Sequence, residues 1–234
     1  MFKFLLSLLL IIPFSLFAQQ TDERIVALDD VYPGQNVTTF DLRERSEAGQ
    51  KFFNTDWLTG QFVFDDGSLS KRIYFLKYNI QTQELYVNLD GGTYQVPMQY
   101  LSGFVLKGVL PEDKGFISHE FVLKHVRGKS GRMILEKVIE GDYGLYILHD
   151  VSVLKPNYVP ALDAGDLNTK YVEKKLYYLN DRGVFKEIPK KKKKAVQFFS
   201  QIPSAKRYID KHKMKIKSEE YLKSLVNYMN KNLN

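Results

Sequence analysis

The sequence predicts a mainly β protein: an antiparallel sandwich or small barrel of about ten strands, ending in a short basic α-helical C-terminal region. Three observations lead there. Between Trp57 and Leu106, short runs rich in Phe, Tyr, Val, Ile and Leu alternate with Asp65-Asp66-Gly67 and Asp90-Gly91-Gly92. Asp-Gly supplies the positive φ angles of tight hairpin turns, and aromatic and β-branched side chains suit a pleated surface. The same rhythm resumes from Phe116 to Ile188, and beyond Pro189 the apolar residues change to a helical period.

The chain opens with MFKFLLSLLLIIPFSLFAQQ. Lys3 is a minimal charged start, Phe4 to Leu16 is apolar, Pro13 breaks the helix, and Ala18 suits the residue before a cleavage site. Residues 1–18 are therefore expected to be a signal peptide, with the mature protein beginning near Gln19. No later segment is long and apolar enough to cross a bilayer as a helix.

Residues 19–50 are polar and weakly patterned. Short strands are expected over 25–28 and 37–42, around the Tyr32-Pro33-Gly34 turn, and an exposed connection over 43–51. Asn36-Val37-Thr38 matches a glycosylation sequon, a pattern common by chance. The central stretch reads as a meander of strands near 61–65, 71–79, 83–89, 93–97 and 102–106. In the third of these, Leu85, Val87 and Leu89 share one face, and Glu84, Tyr86 and Asn88 the other. Gly108, Pro111, Glu112 and Asp113 mark a loop. Strands follow over 116–126, 132–139 and 143–154, then a loop over 156–167, then a hairpin of 170–179 and 184–188 turning on Asn180-Asp181-Arg182-Gly183.

Residues 19–188 are thus read as one β domain, and 189–234 as a lysine-rich linker with helices. Pro203-Ser204 opens a helix reaching His212, with Tyr208 and Ile209 inward. Ser218 is the N-cap of another, followed by Glu219 and Glu220, where the helix dipole favours acids. Leu222, Leu225, Val226 and Met229 then form an i, i+3, i+4, i+7 stripe that must pack on something.

Composition removes several chemistries. With no cysteine there is no disulfide, thiolate metal site or cysteine nucleophile, so the fold must be held by its core. Charge is segregated. Residues 19–168 carry 15 Lys and Arg against 21 Asp and Glu, a net of −6, whereas 169–234 carry 18 against 6, a net of +12. A basic tail on an acidic body points either to contact between the two or to a polyanionic partner.

Several side chains are candidates for chemistry. His119 and His125 share a strand face with Ile117, Phe121 and Leu123, but side chains six residues apart on a strand lie about 20 Å apart, too far to share one ion. His149-Asp150 would have to join one of them from another strand, and no metal-ligand spacing is met. Scattered histidines are the favoured reading, with neither metal nor cofactor implied. In Ser118-His119-Glu120, neighbours point to opposite faces and cannot form a nucleophile–base pair. Asp65, Asp66, Asp90, Glu112 and Asp113 are candidates for calcium or glycosidase carboxylates, but turn chemistry already wants Asp at these places. Trp57, Tyr74, Tyr78 and Tyr86, with Tyr94 and Tyr100, are a candidate wet aromatic face for sugars or peptides. The plainer reading, that Tyr is a good strand residue, is preferred. The sharpest feature is Lys190, Lys191, Lys192, Lys193 and Lys194, a run suited to neutralising phosphates, with Phe198 and Phe199 downstream as apolar anchors. The competing reading is a solvated hinge or a contact with the acidic body.

The stretch GQKFFNTDWLTG (49–60), Asp66-Gly67, LKYNI (76–80) and ELYV (84–87), together with YYL (177–179), the lysine run and the closing basic helices, resembles a broad family of exported Bacteroidota proteins of unknown function. The resemblance implies export and a β fold and brings no catalytic residue with it.

The expectation is a non-enzymatic protein of the cell envelope, periplasmic or outer-membrane-associated. It would contact an anionic surface or protein partner through Lys190–Lys194, Phe198 and Phe199. The alternative is a carbohydrate-active or other hydrolase using loop carboxylates. A nucleic-acid partner is not expected of an exported chain without a matching groove.

Overall fold

The computed structural model describes residues 48–234, apart from 90–91, 110–115, 127, 156, 158–167, 214, 217 and 234. The signal segment, the strands expected over 25–28 and 37–42, the sequon, and Asp90, Glu112 and Asp113 lie outside the described residues. The strands are β1 (Ala48–Gly49), β2 (Leu58–Phe64), β3 (Tyr74–Asn79), β4 (Glu84–Leu89), β5 (Gly92–Gln95), β6 (Leu101–Val109), β7 (Phe116–His125), β8 (Arg132–Ile139), β9 (Tyr143–Leu154), β10 (Lys170–Asp181) and β11 (Val184–Glu187).

They form one sheet in the order β1-β10-β9-β8-β7-β6-β2-β3-β4-β5, with β11 also paired to β10. The protein is mainly β and antiparallel, as expected, and the sheet does not close into a barrel. Most neighbours are consecutive hairpins, as the Asp-Gly and Asn-Asp-Arg-Gly turns demand. The segment expected as an exposed connection over 43–51 instead contributes β1, which pairs in parallel with the start of β10 (Ala48 with Lys170, Gly49 with Tyr171).

Two glycines allow the sheet to coil. A Cβ on Gly60 would meet the carbonyl oxygen of Val105, and one on Gly103 the carbonyl oxygen of Phe121. No side chain fits at either point. The coiling brings Tyr78, Phe104 and Phe121 together, with ring centroids 4.7 to 5.6 Å apart. The β3–β4 turn also reaches β9, where Gln83 Nε2 donates to the His149 carbonyl at 2.9 Å.

Near the middle of β9 the sheet is buried on both faces. Along β9, Leu145 packs towards the helices, while Tyr146 and Leu148 join Val126, Leu135, Tyr178 and Phe185 on the opposite side. The helices are α1 (Lys192–Ser200), α2 (Pro203–Lys211) and α3 (Glu219–Lys231). Ser218 caps α3 by accepting from the Tyr221 N–H, and the stripe Leu222, Leu225, Val226 and Met229 is fully buried against Leu145, Leu179 and Ile188. Burial contributes about 1.5–3 kcal/mol for each such side chain, far more than differences in helix propensity.

The region expected as a lysine-rich linker is therefore folded. Lysine is a good helix former, and Ala195 and Phe199, four residues apart, pin α1 into the same core. The helices share a core with the sheet.

Candidate functional site

All five side chains of Lys190–Lys194 are exposed, and none makes an ion pair among the described residues. Lys191 occupies the N-cap of α1 with no side-chain cap, and the first turn holds Lys192, Lys193 and Lys194 and no acid. The N-terminus of a helix carries partial positive charge, so these ammonium groups stand where a cation is disfavoured. Lys192, Lys193 and Lys194 thus belong to a helix, and Lys190 and Lys191 to the bend that leads into it. Phe199, expected as an apolar anchor, is fully buried. Phe198 is half-buried and packs edge-on against it at 5.0 Å. Helical spacing turns both rings towards the sheet, so neither is available to a surface.

Three members of the candidate aromatic face are buried, in keeping with the plainer reading of tyrosine as a strand residue. Tyr74, Tyr78 and Tyr86 are core residues, 6%, 1% and 3% exposed. Tyr78 donates to Gln83 Oε1 at 2.9 Å, and Tyr86 to Glu84 Oε2 at 2.7 Å. Tyr86 does lie opposite Leu85 and Val87 on β4, but that face is also covered: Phe52, from the segment before β2, packs edge-on against it at 6.5 Å. Trp57 is half-buried with Lys77 Nζ 5.9 Å from its ring, while Tyr94 and Tyr100 are exposed. Among the turn carboxylates, Asp66 Oδ1 accepts from the Ser68 N–H at 2.9 Å and the Ser68 hydroxyl at 2.6 Å, a turn-forming role.

A different constellation is assembled on the helix-facing side of the sheet. His119 on β7, Glu136 on β8, His149 on β9, and Glu173 and Lys175 on β10 project from neighbouring strands onto that face, because successive antiparallel partners share a side. The first four form a continuous hydrogen-bonded chain. His119 Nδ1 lies 2.5 Å from Glu136 Oε1, His149 Nε2 lies 2.7 Å from Glu136 Oε2, and His149 Nδ1 lies 2.9 Å from Glu173 Oε1. Phe53 packs edge-on against both imidazoles, with centroids 4.8 Å from His119 and 4.9 Å from His149. His125 and His212 are exposed and belong to no such chain.

The electrostatics follow from this packing. Burial opposes ionisation of Glu136, but the hydrogen bonds from His119 and His149 and their charges outweigh it and hold its carboxyl at about 2. Burial likewise disfavours a charged His149, yet bonding to Glu136 and Glu173 pushes its pKa above the ordinary value. The hydrogen bond from His149 lowers Glu173 against the opposing effect of burial. With a carboxylate on each ring nitrogen, His149 is an imidazolium that donates from both. His119 uses Nδ1 for Glu136, and its Nε2 has no hydrogen bond among the described residues.

This chain forms one wall of a cleft of about 320 Å³. Phe53, Ile117 and Val138 supply apolar wall, and Lys175, Glu219 and Lys223 close the side towards α3. Glu219 is shared, with Lys175 Nζ at 3.1 Å and Lys223 Nζ at 2.7 Å. Among the described residues no group of three or more His, Asp or Glu is arranged to hold a metal ion. In the sequence His119 stands on an apolar strand face, which is the available signal. Glu136 and Glu173 carry no such signal, because their meeting with His119 and His149 depends on strand register.

In comparison with known proteins, the chain matches no family model, no curated protein and no solved structure.

Proposed function

We propose that this chain is an exported, non-enzymatic protein of the cell envelope that docks on a polyanionic surface through Lys190–Lys194. The observation that carries this reading is the placement of those lysines: exposed, without ion pairs among the described residues, and gathered at the helix end where positive charge is least favoured. An arrangement that opposes the helix dipole is relieved when phosphate groups approach, as on anionic lipid or lipopolysaccharide headgroups. The signal-like start of the chain supports an envelope setting. Because Phe199 belongs to the core and Phe198 packs on it, the contact is electrostatic and peripheral, without insertion of these rings.

The test is cosedimentation with vesicles containing anionic phospholipid, at low and high salt. The chain is compared with a variant in which Lys190, Lys191, Lys192, Lys193 and Lys194 are all replaced by Gln. Wild type is expected to bind at low salt and release at high salt, and the variant to stay in solution. Equal behaviour of the two proteins sinks the proposal. Binding to an acidic protein but not to vesicles would move the contact to a protein partner.

A further inference from the structure

We propose that the open stretch of the β10 edge, residues 172–176, takes up a short extended peptide of a partner protein as an added antiparallel strand, with an acidic side chain set against Lys174.

Strand pairing is the first reason. Along its whole length β10 is paired with β9 on one side. On the other side β1 meets it only at Lys170 and Tyr171, and β11 only from Tyr178 to Asp181, with the Ile188 N–H adding a bond to the Tyr177 carbonyl at 2.8 Å. Among the described residues nothing pairs with 172–176 on that side. Pro189 has no N–H to continue the ladder, and the chain bends there into α1. Successive residues of an antiparallel strand turn their backbone groups to alternate sides, so the outward carbonyl of Tyr177 places the N–H and C=O of Lys175 and Glu173 on the open edge. Residues 172–175 are all exposed, Val172 by 46%. A row of outward backbone groups is what an extended peptide recognises by strand addition.

Size and side-chain pattern are the second reason, and they select the occupant. β10 is 12 residues long, whereas the opening covers only 172–176 and is bounded by β1 and β11, so the β10 of a second copy cannot lie along it. The opening is about 17 Å of strand, which suits a loop tip or a chain end of a partner. On one face Val172 and Leu176 flank Lys174, and directly opposite side chains on an added strand would meet them. Lys174 makes no ion pair among the described residues, and its partner on β9, Asp150, accepts from the Val151 N–H through Oδ1. An acidic side chain opposite Lys174, with an apolar one on either side, completes that face, and a lysine there is repelled. On the other face Glu173 already bonds to His149 and Lys175 to Glu219, so uncharged polar side chains serve opposite them. The edge uses none of Lys190–Lys194 and stands apart from the docking surface.

The experiment is calorimetric titration of the purified chain, at fixed ionic strength, with the acetylated and amidated pentapeptide Val-Thr-Glu-Thr-Val. Amide hydrogen exchange of the free and bound protein accompanies it. Saturable one-to-one binding is expected, and the N–H groups of Glu173 and Lys175 should exchange fast in the free protein and slowly in the complex. A peptide methylated on both threonine nitrogens keeps every side chain but loses the ladder donors, and should bind at least about ten-fold more weakly. The peptide with Lys in place of Glu should be weakened by a similar factor, and Lys174→Glu should restore its binding. The variant with Gln at 190–194 should bind the pentapeptide like wild type. The proposal is overturned if the peptide fails to saturate in the millimolar range, or if the methylated or lysine peptide binds equally well. It also fails if the N–H groups of Glu173 and Lys175 are already slow in the free protein, since the chain itself then covers the edge, or if the 190–194 variant loses binding.

Discussion

Asn230 and Tyr143 pair as two strand residues would: Asn230 Oδ1 accepts from the Tyr143 N–H at 2.9 Å, and Asn230 Nδ2 donates to the Tyr143 carbonyl at 2.8 Å. One side chain thus joins the end of α3 to the start of β9. Gly141, at φ +154°, lies so close that a Cβ there would strike the Asn230 amide. Asn230→Ala removes both bonds and is expected to cost about 1–3 kcal/mol. This would be read as a lower urea midpoint at unchanged slope. An unchanged midpoint would mean that the apolar stripe of α3 holds the helix unaided.

Stability should be greatest in mildly acidic solution and fall on either side, through His149 towards alkali and through Glu136 and Glu173 towards acid. Its pKa is raised in the folded state, so the stability it contributes is complete below its ordinary value near 6.5 and is lost as pH rises through the raised value. Glu136 and Glu173 are lowered, so theirs is present above the usual carboxylate value of 4.5 and is lost as pH falls, for Glu136 towards about 2. Chemical denaturation across pH should show a maximum between these limbs. Glu136→Gln should flatten much of the acidic limb. A wild-type profile that rises steadily from pH 6 to 9 would contradict the assignment.

Gly103 should tolerate no side chain. Its Cβ would collide with the Phe121 carbonyl oxygen in the adjoining ladder, where backbone rather than a flexible side chain must give way. Gly103→Ala is expected to destabilise by about 1–3 kcal/mol or more, the range for overpacking a dense interior. Gly67→Ala has no neighbour to strike and meets only the strain of φ +80°. Its cost should be nearer 1 kcal/mol, so comparing the two by thermal unfolding separates collision from backbone strain.

Phe199 and the lysines beside it should respond in opposite directions. Phe199→Ala empties a fully buried site and is expected to cost about 3–5 kcal/mol. Replacing Lys192 by Glu puts an acid in the first turn of α1, where the dipole favours it, and should raise the thermal midpoint while weakening retention on anionic vesicles. A midpoint lowered by Lys192→Glu would show that this lysine makes a stabilising contact.

The strands were legible because their turns are chemically explicit. Asp66-Gly67 and Asn180-Asp181-Arg182-Gly183 state where the chain reverses, and Gly67, Arg182 and Gly183 do adopt positive φ. Helix α3 was legible from its cap and stripe, since both operate within a few turns of chain. The His–Glu chain was not, because each contact spans strands. Glu136 meets partners 17 and 13 residues away, and the bulge near Lys137 and Ile139 shifts the β8–β9 register. In the sequence Glu136 looks like any polar residue alternating outward from a strand. The helical start within the lysine run, Lys192–Lys194, was less legible for the opposite reason. Composition drew attention away from Ala195 and Phe199, whose spacing already marked a helix with a buried side.

The position of α3 has a consequence for synthesis and quality control. Leu145 and Leu179 are fully shielded only when the stripe from Leu222 to Met229 has been laid over them, and that stripe comes from α3, beyond the last strand. A product broken off after β11 would possess its hairpins but present a bare greasy surface, the signal by which proteases and chaperones recognise unfinished goods.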